Sequence, residues 1–185
     1  MKANDEDIMI ELQAGSSQAF SKIYDRYANR LHHFFWRGLN KDAELSSDLV
    51  HDLFLKIIEK PEVFDPKRKF KTWVFSVANN MLINEYKRRS VRSNGSDAPL
   101  DQFIGSNGHY RYHDQDRFIE ALNALIVRFK PETQTLFFLR FREEMAVPEI
   151  SEIMNVKEGT IKSRLHHLTK KLAVGLDEFK DLNHN

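Results

Sequence analysis

Near the C-terminus, the run Gly159-Thr160-Ile161-Lys162-Ser163-Arg164-Leu165 carries the groups from which a reader of nucleic acid can be built. Ile161, Leu165, Leu168 and Leu172 recur at spacings of four, three and four. That spacing puts them on one face of a helix and turns Thr160, Lys162, Ser163, Arg164 and His167 toward its flanks and outer side. Short hydroxyls and an Arg near a helix start can hydrogen-bond base edges in a major groove, while Lys170 and Lys171 can neutralise phosphates. Just upstream, Pro148-Glu149-Ile150-Ser151-Glu152-Ile153-Met154 leads into Asn155. Pro suits the first turn of a helix and Asn tolerates the left-handed conformation of a sharp turn, so the pair reads as a helix-turn-helix. The same spacing also fits a plain helical hairpin with a solvated basic face.

A second constellation suits a different contact. At about 100° per residue, Val74, Phe75, Ala78, Met81 and Leu82 share a core face, and Trp73, Ser76, Asn80, Asn84 and Lys87 line up opposite. Ending in Lys87-Arg88-Arg89 and Arg92, this stripe has the equipment to hold an unpaired strand by stacking, polar contact and phosphate neutralisation. The alternative is that Trp73 anchors the edge of the core and the amides are surface residues. On the preceding helix, Asp48, Asp52 and Glu59 lie near one face with Leu55 beside them. An acidic rim around an apolar residue fits a basic partner helix, and it also describes an ordinary solvated face.

Other chemistries find little support. The eight histidines include His109 and His113, which fall with Asp114 in a polar stretch unsuited to preorganised metal geometry. His32-His33 and His166-His167 are adjacent, so their side chains diverge on a helix. There is no cysteine, hence no disulfide and no thiolate site. A Gly-rich phosphate loop and a nucleophile elbow are lacking as well. The expectation is a protein that is not an enzyme, with no catalytic residue, metal or cofactor.

The elements that position these groups read as helical nearly throughout. Phe20, Ile23, Tyr24, Tyr27, Leu31 and Phe34 form one stripe after a Gly15-Ser16-Ser17 break, and Leu45, Leu49, Leu53, Phe54, Ile57 and Ile58 form another that ends before Pro61. A further helix is expected from Phe70 to Arg89. From Ser90 to about Asp114 the pattern gives way to Ser, Asn, Gly and Pro, too long for a tight connection within one domain. Helical spacing resumes with Phe118, Leu122, Leu125 and Ile126, stops at Lys130-Pro131, and continues through Leu136, Phe137 and Phe141. The expected architecture is all-α, with two small helical domains at 1–90 and 115–180 joined by a flexible linker at 91–114, the second domain holding the helix-turn-helix.

The formal charge of the 185 residues is only +1, so attraction to nucleic acid must come from its distribution. Residues 66–92 hold eight Lys and Arg against one acid, while residues 1–65 hold eight against twelve. The start, Met1-Lys2-Ala3-Asn4-Asp5-Glu6-Asp7, is acidic and unlike a secretory signal. No apolar run approaches the roughly 20 residues of a membrane span. A soluble, cytoplasmic protein is expected.

Three motifs in order carry a resemblance over nearly the whole chain. Asp48-Leu49-Val50-His51-Asp52-Leu53-Phe54-Leu55 resembles the polymerase-docking helix of bacterial RNA polymerase sigma factors of the extracytoplasmic function (ECF) type. Phe70-Lys71-Thr72-Trp73-Val74-Phe75-Ser76-Val77-Ala78-Asn79-Asn80 is similar to their promoter-melting helix, and Gly159 to Leu165 to their recognition helix. The resemblance implies docking on core RNA polymerase through Asp48, His51, Asp52 and Leu55. It implies capture of the unpaired non-template minus-ten strand by Lys71, Trp73, Ser76, Asn80, Asn84, Lys87 and Arg88, with a flipped base near Asn80. It places Thr160, Lys162, Ser163, Arg164, His167, Lys170 and Lys171 against duplex promoter DNA at the minus-thirty-five element, and it implies control by an anti-sigma factor. The chain departs from the pattern at His51, usually Gln, at Lys130, usually Leu, and at Ser151, commonly Ala. The competing reading is a one-component helix-turn-helix regulator whose N-terminal helices bind a ligand or dimerise. It leaves the stripe from Phe70 to Arg92 without a task.

Overall fold

Asn4 accepts the Asp7 N–H on its side chain at 2.6 Å, and Ser16 accepts that of Ala19 at 3.3 Å, so each starts a helix by satisfying an otherwise unpaired donor. In the computed structural model, which describes residues 3–92, 114–177 and 179, these helices are α1 (Asp5–Gln13) and α2 (Ser17–Gly38). Gly15 between them has φ +95°, a conformation natural to glycine. Asp42 caps α3 (Ala43–Glu59) by accepting the Leu45 N–H at 3.1 Å. A 3-10 turn at Pro61–Val63 then leads to α4 (Phe70–Arg92). The remaining helices are α5 (Asp114–Val127), α6 (Pro131–Phe137) running into a π-helical turn (Phe138–Arg142), α7 (Val147–Met154) and α8 (Glu158–Gly175). Among the described residues there is no strand.

The chain divides into two compact units, the first built from α1 to α4 and the second from the helices after Asp114, with residues 152–155 grouped with the first. α4 continues to Arg92, past the expected boundary at 90, and the interior of the expected linker lies outside the described residues. His109 and His113 lie there too.

In the first unit, Ile23, Tyr27, Leu31 and Phe34 of α2 are buried as the spacing predicts, together with Phe35, whereas Tyr24 is 44% exposed and lies against Phe54, ring centroids 4.7 Å apart. The core face of α3 differs from the expected one. It is Ser46, Val50, Leu53, Phe54 and Ile57, and Ile58 stands out in solvent. Ser46 can be buried because its hydroxyl donates to the Asp42 carbonyl, which lets the helix turn its narrow face inward. The N-terminal α1 has no counterpart in the expected elements, yet Ile8 and Met9 are fully buried. Its four apolar residues in nine, Ile8, Met9, Ile10 and Leu12, are too short a pattern to stand out from an acidic run.

In the second unit, Ile126, Leu136, Phe137, Phe138, Leu139, Ile150, Ile161, Leu168 and Leu172 are buried. Phe141, expected to continue the stripe of α6, is 43% exposed. The wider π-helical turn at Phe138–Arg142 breaks the 3.6-residue phase and swings it outward. Leu125 packs so close to Gly175 that a Cβ there would lie 2.5 Å from a Leu125 methyl.

Candidate nucleic-acid interface

The turn between α7 and α8 is made by Asn155, with φ 52°. It is locked by a reciprocal pair of hydrogen bonds. The Val156 N–H donates to the Ser151 carbonyl at 3.1 Å, and the Ser151 hydroxyl donates to the Val156 carbonyl at 2.6 Å. Ser151, a departure from the usual Ala, therefore ties the turn in a way Ala cannot. With Ile161, Leu168 and Leu172 buried and Leu165 half-buried, α8 presents Thr160, Lys162, Ser163, Arg164, His167, Lys170 and Lys171 as exposed side chains. Lys162 pairs loosely with Glu158 at 3.8 Å, and the Lys171 ammonium lies 5.9 Å from the centre of the Phe129 ring. A Cβ added at Gly159 would meet nothing within 4 Å, so the start of the helix is open to a close approach. His166 and His167 diverge, ring centroids 5.8 Å apart.

On α4, Val74, Phe75, Ala78 and Leu82 are buried and Met81 is half-buried, while Asn80, Asn84, Lys87 and Arg88 are exposed. Two members of the stripe are already engaged. Trp73 is half-buried, its ring 5.2 Å from that of Phe64 and 5.7 Å from that of Phe70, so it serves the core edge as well as the surface. The Ser76 hydroxyl donates to the Thr72 carbonyl at 2.8 Å. Lys71 is half-buried.

The cations at the end of α4 are not equivalent. Glu85, the single acid of the basic block, is buried and receives the Arg88 Nε at 2.7 Å and the Arg89 Nε at 3.1 Å. Burial raises its pKa, but the hydrogen bonds and charges of the two guanidiniums outweigh it and hold the carboxyl below its ordinary value. Arg89 also reaches Asp42 at 3.1 Å, so it joins the end of α4 to the cap of α3. Nearby, the Tyr86 hydroxyl donates to the Gly38 carbonyl at 2.7 Å. The spacing Glu85 to Arg88 and Arg89, three and four residues, is the signal that could have marked these pairs beforehand.

Three supporting residues on α1 have no signal in the sequence pattern. Asp5 pairs with Arg26 at 2.5 Å and accepts the Tyr27 hydroxyl, and burial with this contact pushes the Tyr27 phenol far above its ordinary pKa. Glu6 accepts the Phe70 N–H at 2.8 Å, and the Gln13 amide donates to the Pro61 and Phe64 carbonyls at 2.9 and 2.8 Å. Contacts across 21 to 64 residues leave no periodic trace in a sequence.

On α3, Asp48, His51, Asp52 and Leu55 are all exposed on one side of the helix, Leu55 to 39%. Among the described residues no group of His, Asp and Glu is arranged to hold a metal, and no helix is long and apolar enough to cross a membrane.

A helical unit with an amide-lined basic face, followed by a helix-turn-helix unit, defines a DNA-binding protein of transcription. The chain matches the family models for sigma-70 region 2 over residues 23–92 and sigma-70 region 4 over residues 119–172. It therefore belongs to the sigma-70 family of RNA polymerase sigma factors, in the ECF group. It is 26% identical to the ECF RNA polymerase sigma factor SigW of Bacillus subtilis over 170 residues, 84% of this chain and 88% of that one. It is 29% identical to SigL of Mycobacterium tuberculosis over 171 residues, 89% and 93% of the two chains. Among solved structures it is similar in fold to the sigma factor RpoE of Bartonella quintana, determined with the anti-sigma factor NepR, with a TM-score of 0.66, 21% identity and coverage of 85% and 96%. CnrH, determined with the cytosolic domain of CnrY, gives a TM-score of 0.65, 19% identity and coverage of 94% and 97%.

Proposed function

We propose that this chain binds core RNA polymerase and directs it to promoters recognised at two separate elements. The observation that carries this reading is the presence, in one chain and in family order, of the exposed Asn80, Asn84 and Lys87 row on α4 and the exposed Thr160 to Arg164 row on α8. Asp48, His51, Asp52 and Leu55 form the polymerase-docking face. Lys71, Trp73, Ser76, Asn80, Asn84, Lys87 and Arg88 hold the unpaired non-template strand, Ser76 as an acceptor while its hydroxyl proton stays with Thr72. Thr160, Lys162, Ser163, Arg164 and His167 read the upstream duplex, and Lys170 and Lys171 meet phosphates. The functional division is 1–90 for polymerase and the minus-ten strand, 91–114 as linker and 115–180 for the minus-thirty-five element. Polymerase makes the phosphodiester bond, so the chain needs no catalytic residue or cofactor, and it acts in the cytoplasm where the nucleoid lies. An anti-sigma factor holds it inactive, a control supported by the family. Recovery from the native cell with polymerase alone would count against that control.

Run-off transcription with purified core polymerase of the source bacterium, with and without this protein, on a pool of its promoter fragments tests the reading. Discrete transcripts that need the protein are expected. No transcripts, together with no binding to core, would leave the one-component regulator as the better account.

A further inference from the structure

α1 precedes the residues matched to sigma-70 region 2, which begin at residue 23, and neither the docking face nor the two rows of DNA-facing side chains includes any residue of it. Asp5 is bonded to α2, but Glu6 and Gln13 reach the segment that leads into α4. A helix leaves its first N–H groups without partners inside the helix, and a cationic side chain is a poor neighbour for that positive end. α4 is introduced by Lys67-Arg68-Lys69 and carries Lys71 in its first turn. Its first N–H, that of Phe70, is accepted by the carboxylate of Glu6 at 2.8 Å. The acceptor and the negative charge are both supplied from α1. At the other end of α1, Gln13 holds the carbonyls of Pro61 and Phe64 with a single amide, and Phe64 is the ring against which Trp73 packs. Ile8 and Met9, fully buried, keep α1 from sliding.

We propose that Glu6 is a positioning residue for promoter opening. It fixes where α4 begins, and so the direction in which Trp73, Asn80 and Asn84 face the unpaired strand, with Gln13 fixing the turn that buttresses Trp73. The proposal rests on the reading of α4 as the strand-binding helix.

The test uses the full chain with core polymerase and compares wild type with Glu6→Ala, Glu6→Gln and Gln13→Ala. Three quantities are read: affinity for core, the rate of promoter opening, and amide exchange at Phe70. Loss of one charge-assisted hydrogen bond at a helix start corresponds to about a tenfold change. Glu6→Ala is therefore expected to slow opening about tenfold and speed exchange at Phe70, with affinity for core within about twofold of wild type. Glu6→Gln, which retains an oxygen acceptor, is expected to restore most of the opening rate, and Gln13→Ala to slow opening without changing core affinity. Unchanged opening in Glu6→Ala overturns the proposal. So does a loss of core affinity in step with opening, because that marks general destabilisation of the unit. If Glu6→Ala fails to fold, Gln13→Ala and Glu6→Gln decide between the same outcomes on the same criteria. A wild-type protein that opens no promoter would instead overturn the strand-binding reading beneath it.

Discussion

Glu85 is where burial and charge compete within one residue. Its carboxyl is buried, yet the guanidiniums of Arg88 and Arg89 keep it ionised and depress its pKa. A depressed carboxylate stabilises the fold fully above its unfolded value, near 4.5, and that contribution disappears as pH falls through the folded value. Glu85→Gln should thus unfold at a lower temperature than wild type at pH 7, and the difference should shrink as pH falls below about 4.5. Thermal melts of both proteins at pH 7 and pH 4 measure it. Arg164, exposed on α8, carries a different expectation. Arg164→Ala should weaken binding to the upstream element by about 1 to 3 kcal/mol if the guanidinium reads a base, while equal loss on all duplexes in a titration would assign it to phosphate. The exposed row of α8 was legible because four leucine and isoleucine positions fix the helix phase. The pairing of Arg88 and Arg89 left a trace in the three- and four-residue spacing from Glu85, but the burial of that acid did not, since a run of cations is silent about which side of the helix faces inward.

Among the elements, the α7–α8 turn rests on one backbone angle. Asn155 adopts φ 52°, which a β-branched side chain resists and glycine accepts freely. Asn155→Val should destabilise the α7–α8 turn by about 1 to 2 kcal/mol, and Asn155→Gly should remain close to wild type, as denaturant unfolding would report. That turn was readable from residue types alone, because Pro148 and Asn155 bracket a short apolar repeat. The face of α3 and the outward swing of Phe141 were not. A buried Ser46 needs a backbone acceptor that a hydropathy pattern cannot contain, and a π-helical turn changes the period on which the pattern depends.

Over the whole molecule the formal charge of +1 gives little long-range pull on DNA, so the two basic regions must act as separate local footprints. Replacing Lys170 and Lys171 together by Ala should lower the salt dependence of upstream duplex binding by about two phosphate equivalents. The salt dependence of single-strand binding should stay as it was, and filter binding from about 50 to 200 mM salt compares the two. The division into two helical units was legible from the loss of periodicity after Ser90, whereas the tie from α1 to the start of α4 was not, Glu6 and Phe70 standing far apart in the chain. That distance has a bearing on how the protein is made. Glu6 leaves the ribosome 64 positions ahead of Phe70, roughly 3 to 13 s at ordinary elongation rates. Through that interval α1 can already pack against α2, which follows it directly, while the Glu6 carboxylate waits for the Phe70 N–H, so α4 is the element whose start is set by a partner made long before it.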